Sequence, residues 1–231
     1  MSPPSSQARL KQAAAPEDAR KRLVDAALDL FSRNSFEGTS TRALTRQAGV
    51  NLAAIQYYFG SKEGLYLAVA RYIDKRVGLL ARPVLAEAEA ALDARTLTRD
   101  ECLDLVCRLM EAMIATTLET PDSMKWVGIL VREQMEPSSA FDILYEGVMK
   151  PMHRCLCRLV GNILGLDPGA EETKIRVFAL MGQLIMFHVS RALVTRTLGW
   201  DGYRPNEVES IRAVVLDNVR ALLDMKEAHV T

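Results

Sequence analysis

The sequence predicts an all-α protein, with a small three-helix N-terminal module ahead of a larger helical bundle. Three observations predict it. Ala, Leu, Arg, Glu and Met dominate, while aromatic residues make up only 6%, so the material for helices is plentiful and that for sheets is scarce. Apolar residues recur three and four positions apart along most of the chain, and no stretch sustains the two-residue alternation of a strand. Caps and breakers fall at helix-length intervals.

Residues 1–15, rich in Ser, Pro and Ala, are expected to form a disordered tail. From Pro16, Leu23, Ala26, Ala27, Leu30 and Phe31 trace one helical face, and Glu17 and Asp18 suit its first turn. The stretch NSFEGTS ends this helix, and Thr39 or Ser40 can cap the next, TRALTRQA, which Gly49 closes. Asn51 is placed to cap LAAIQYYF. Gly60 ends that helix, and Ser61 can cap a long one opening at Lys62. Further on, Thr98 and Glu101 spell a capping box. Pro121 and Pro137 reset the chain, and Pro151 should kink or split a helix near Val148. One long helix is expected over 170–198, stopped by Gly199, and a last one is capped by Asn206 and Glu209.

The net charge is zero but unevenly placed. Residues 1–80 hold 12 Lys/Arg against 7 Asp/Glu, so a basic front module precedes a mildly acidic body. Cys102, Cys107, Cys155 and Cys157 lack metal-ligand spacing and read as reduced, buried thiols. With no secretory signal pattern and no apolar stretch of bilayer length, a soluble, cytoplasmic protein is expected.

The segment from Thr41 to Phe59 is two short helices joined by GVN, the layout of a helix-turn-helix whose second helix enters the DNA major groove. Gly49 allows the tight turn. Ala43, Leu44, Ala48, Val50, Leu52 and Ile55 can form the small core between the helices. Ala53 and Ala54 keep the front of the second helix slim. Gln56 can pair with an adenine edge, and Tyr57 and Tyr58 combine an apolar ring with a hydroxyl tip. Thr41 and Arg42 can reach the DNA backbone. Lys62, at a helix N-terminus, suits a phosphate.

This motif, GTSTRALTRQAGVNLAAIQYYFGSKEGL, closely resembles the N-terminal signature of the TetR family of bacterial transcriptional regulators. The resemblance implies a DNA-binding head and an all-helical body that forms a homodimer around a ligand pocket. It places Thr41, Arg42, Asn51, Ala53, Gln56, Tyr57, Tyr58 and Lys62 on DNA-contacting positions. The family usually has tyrosine where this chain has Gln56, so the operator sequence does not carry over. The stretch REQMEPSSAFDILYEGVMKPMHRCL is similar to the CecR subgroup, whose members are linked to drug sensitivity and export genes.

The expected domains are therefore the tail (1–15), the DNA-binding module (16–62) and a ligand-binding and dimerisation body (63–231). Helix 170–198 is apolar on nearly every side between Phe178 and Val189. It is expected to pair, with the last helix, against the same two helices of a second copy. Candidate pocket liners are Met110, Met113, Trp126, Leu130, Phe141, Tyr145, Met149, Phe178, Met181 and Met186. His188 is expected to be a core histidine bonded to a backbone carbonyl. No catalytic triad, phosphate loop or dinucleotide fingerprint occurs, so no catalytic residue, metal or cofactor is assigned. The expected function is ligand-responsive transcriptional regulation, as a repressor. A homodimer would bind a palindromic operator, and a small hydrophobic effector would release it. The alternative is a DNA-binding regulator without a small-molecule inducer, controlled by a partner protein or by abundance.

Overall fold

Helices make up all the regular structure among the described residues, 6–94, 96–119 and 123–224 of the computed structural model. Helix α1 spans Ser6–Arg33, α2 Thr41–Ala48, α3 Ala53–Phe59 and α4 Lys62–Ala94. Helix α5 is Arg99–Ile114, α6 Ser123–Met135, α7 Ser139–Leu144 and α8 Lys150–Leu164. Helices α9 (Glu171–Val189), α10 (Arg191–Leu198) and α11 (Pro205–Asp224) complete the chain.

Several boundaries follow the caps. The Ser40 hydroxyl accepts from the Ala43 N–H at 3.1 Å, and the Ser61 hydroxyl accepts from the Gly64 N–H at 2.9 Å. Thr98 and Glu101 make the reciprocal capping box of α5. Thr98→Ala removes one half of that box and is expected to lower stability by about 1 kcal/mol in a urea titration.

Other boundaries differ from expectation. Helix α1 opens at Ser6 rather than Pro16, because QARLKQAAA is itself made of strong helix formers. Residues 1–5 of the expected tail lie outside the described residues. Asn51 does not cap α3 with its side chain. The N-cap is Leu52, and the contact from this side of the turn is the Asn51 carbonyl, which accepts from the Ala54 N–H at 3.1 Å. Helix α11 starts at Pro205, one residue before Asn206, since proline's fixed φ and missing N–H fit a first helical position. The helix expected over 170–198 is two helices, bent by 75° at the break around Ser190. Ser190 has φ −98° and ψ 25°, and serves as C-cap of α9 and N-cap of α10. Pro151 acts as expected: a wide π-helical turn, Tyr145–Met149, separates α7 from α8. A second such turn, Ala115–Glu119, follows α5.

The chain forms two compact units. The first holds α1 to α3, α4 as far as Asp74, and Gly128–Leu144. Its core includes Leu23, Ala27, Phe31, Leu44, Ile55, Leu65, Val69 and Ile73. The Phe31, Phe36 and Tyr66 rings cluster with centroids 4.9 to 5.9 Å apart. Two side chains of α6 tie its end into this unit. Arg132 donates to the Phe31 and Asn34 carbonyls at 2.7 and 2.8 Å, satisfying acceptors left open where α1 ends. Glu133, 2% exposed, accepts from the Tyr66 hydroxyl at 2.6 Å and from the Ser138 N–H and hydroxyl at 3.0 and 2.9 Å. Burial first, and then Glu133 beside it, push the Tyr66 phenol well above its ordinary range.

The second unit holds Lys75–Val127 and the chain from Tyr145 onward. Leu105, Leu109 and Met110 of α5, Leu156 and Leu159 of α8, Leu180 and Leu184 of α9, and Ile211, Val215 and Val219 of α11 share one core. The four cysteines are free and buried, and burial pushes the Cys155 thiol up to about 12. Along α4, Glu87 pairs with Arg108, and Glu89 and Asp93 pair with Arg158. Among the described residues no single helix is long and apolar enough to cross a membrane.

Candidate nucleic-acid interface

Helix α3 is held by one buried side and leaves the other bare. Ile55 faces inward with Leu44 and Ala48 of α2. The turn between the helices depends on Gly49, whose φ of 63° is left-handed. Its N–H donates to the Arg46 carbonyl, and the Val50 N–H donates to the Thr45 carbonyl at 3.0 Å. The Thr45 hydroxyl folds back onto the Thr41 carbonyl at 3.0 Å, so α2 keeps its polar side chains from competing for the turn.

Ala53, Gln56 and Tyr57, spaced three and four apart, are exposed on the opposite side of α3 from Ile55. Tyr57 is 80% exposed, which no packing role in this unit explains. Its ring stands edge-on to Tyr58 with centroids 4.8 Å apart, and Tyr58 is half-buried against Phe59. Tyr58 thus braces Tyr57 and limits the rotamer freedom that binding would otherwise remove. Arg42 and Asn51 are exposed, and Thr41 is half-buried. Lys62 is half-buried with its ammonium 4.2 Å from the Phe36 ring centroid, a cation–π contact at the start of α4.

One side chain was misassigned by the apolar pattern. Leu52, expected in the small core, is 53% exposed at the start of α3. It stands next to Ala53 and offers an apolar contact suited to a thymine methyl. Its signal in the sequence was its place in the turn, where helical periodicity no longer applies.

The expected pocket liners differ widely in exposure. Met110 and Trp126 are buried, and Met113, Met149 and Met181 are half-buried against the body core. Leu130 and Phe141 belong to the first unit, and Tyr145 and Met186 are exposed. Phe178 is 63% exposed, with its ring 4.3 Å from that of His153. An open depression lined by Glu171, Glu172, Ile175 and Arg176 includes none of them. The Trp126 indole N–H is fully buried and meets no acceptor among the described residues. His188 is buried as expected, but among the described residues its Nδ1 meets no backbone carbonyl, and burial, with Arg191 beside it, holds the ring below its ordinary pKa. Among the described residues no cluster of His, Cys, Asp and Glu could hold a metal ion.

Known proteins similar to this chain are transcriptional regulators. Residues 23–69 match the profile described as bacterial regulatory proteins, tetR family. Residues 104–225 match that of the C-terminal domain of the HTH-type transcriptional dual regulator CecR. The dual regulator CecR of Shigella flexneri is 33% identical over 207 residues, covering 90% of this chain and 92% of that protein. The transcriptional regulator RutR of Escherichia coli is 43% identical over 63 residues, 27% of this chain and 30% of its own. These relatives are regulators, not enzymes. Two solved structures share the fold at low identity. AibR, solved with isovaleryl coenzyme A and operator DNA, has a TM-score of 0.62 at 14% identity, covering 87% of this chain and 97% of its own. A TetR-family regulator from Mesorhizobium loti has a TM-score of 0.55 at 16% identity, covering 90% of this chain and 96% of its own.

Proposed function

We propose, since this chain belongs to the TetR family of bacterial transcriptional regulators and its C-terminal half is of the CecR type, that it is a ligand-responsive repressor. It works in the cytoplasm as a homodimer on a palindromic operator. The observation that carries the reading is the exposed face of α3, where Ala53, Gln56 and Tyr57 lie bare while Ile55 anchors the helix. Thr41, Arg42, Asn51, Tyr58 and Lys62 complete the contact surface around it. Arg42 and Lys62 supply phosphate contacts, and Gln56 reads a base edge. For Lys62 this means leaving the Phe36 ring as DNA arrives. Lys62→Ala is therefore expected to weaken binding to all duplexes alike and to flatten the salt dependence by about one phosphate contact. Equal slopes for both proteins in a salt titration by fluorescence anisotropy would contradict that role.

The head, 16–62, binds DNA, and the body, 63–231, binds effector and partner. Homodimerisation is supported by the exposed apolar side chains of α9 and α11: Ile175, Phe178, Ile185, Met186, Val189, Val214 and Leu222. A small hydrophobic effector bearing one acceptor is supported by the Trp126 indole N–H, buried without a partner among the described residues. The effector must favour one spacing of the two heads over the other, because equal affinity for both shifts nothing. Trp126→Phe is expected to keep operator binding while weakening the effector response about tenfold or more. The check is a thermal-shift screen of hydrophobic carbonyl compounds on both proteins, followed by operator release. Stabilisation of the two by the same compound to the same extent would contradict the assignment.

The packed body favours a second reading, in which the protein regulates without a small-molecule inducer and a partner protein or its abundance sets occupancy. A screen in which no compound stabilises the wild-type chain would select it. Because the Shigella relative carries the name of a dual regulator, transcription from the operator needs measuring in both directions.

A further inference from the structure

We propose that Asn218, held by Gln183, sits at the centre of the self-association face and bonds to the same amide in a second copy, setting the register and the choice of partner. The inference rests on the homodimer reading above and adds to it the residues that decide which chains pair. Between Val177 and Ser190 helix α9 contains no Asp, Glu, Lys or Arg. Its exposed side chains there are apolar, and Gly182 opens onto free space. On α11, Val214, Asn218 and Leu222 lie four apart and form one exposed stripe. Asn218 is thus a single amide between two bare apolar side chains. It donates to the Gln183 side-chain oxygen at 3.2 Å. The Gln183 side-chain nitrogen is buried within the chain, so Asn218 is the member of the pair that reaches outward.

Those facts point to a copy of the same surface as the occupant. At a two-fold axis each group meets its own kind. Charges would repel there, whereas a carboxamide carries both donor and acceptor and is complementary to itself. The nearby charges on α11 are engaged within the chain: Arg220 pairs with Asp217, and Arg212 with Glu209 and Glu119. The exposed Asn218, held by its bond to Gln183, then offers its side-chain oxygen and second amide hydrogen to the facing Asn218 across the interface. A lone polar pair in an apolar seam costs some affinity and gives one register, since any slip buries the amides unpaired.

The test mixes wild-type chains with Asn218→Leu chains of distinct mass, lets subunits exchange, and counts dimers by native mass spectrometry. Asn218 is exposed, so the variant should fold, which circular dichroism confirms independently. Mixed dimers leave one amide pair facing leucine and are expected to be about fivefold or more below their statistical share. A second variant, Asn218→Asp, is expected to dissociate about tenfold or more readily on dilution at pH 8. Statistical mixing, or an Asp variant that dimerises like wild type, overturns the amide pairing while leaving the dimer intact. A wild-type chain that stays monomeric at micromolar concentration overturns the dimer reading itself.

Discussion

Tyr57→Ala is expected to lower operator affinity by about ten- to a hundredfold, with folding and self-association unchanged. The ring is 80% exposed, so truncating it opens no cavity and leaves no buried polar atom unpaired. What the change removes is contact area with sugar or thymine and one hydroxyl to phosphate. It also removes the edge-on partner of Tyr58. Tyr57→Phe separates these effects: keeping the ring should retain most of the affinity, with a loss of a few-fold for the missing hydroxyl. Gel shifts on the selected duplex measure all three proteins. An Ala variant that binds like wild type would remove α3 from the interface.

Glu133→Ala is expected to cost about 2–4 kcal/mol of stability, the larger structural effect. The carboxylate is the shared acceptor of the Tyr66 hydroxyl and of both the Ser138 N–H and hydroxyl. Deleting it leaves buried donors unsatisfied and opens space beside the Phe31–Tyr66 pair. Tyr66→Phe should cost less, about 1 kcal/mol, because Glu133 keeps its bonds to Ser138. Urea unfolding followed by circular dichroism decides the order. If Tyr66→Phe proves the more damaging, the carboxylate is not the hub of this network.

Local features whose physics is local were legible in the sequence. Ser40, Ser61 and the Thr98–Glu101 box cap as expected, because a side-chain oxygen two or three residues from an open N–H needs nothing from the rest of the fold. Gly49 in the left-handed turn is the same kind of case. Features settled by tertiary contact were not. The break at Ser190 has no proline or glycine to announce it. On its far side Arg191 lies 4.3 Å from the centroid of the Tyr203 ring, a partner twelve residues away. Leu52 looked like core because it is apolar, yet the turn points it outward. The tie from Glu133 to Tyr66 spans 67 residues, and nothing in local spacing encodes it. Pocket liners cannot be singled out from the sequence for a related reason: Met and Phe at helical spacing describe a packed core and a cavity wall equally well.

The most direct test is a hydroxyl-radical footprint on a duplex selected by the purified protein, with subunits counted on the same complex by native mass spectrometry. The account predicts two protected patches about one helical turn apart (~34–36 Å), two subunits per duplex, and binding that weakens steeply with salt. A single protected patch under one subunit, or no salt-sensitive binding to any duplex, would contradict it.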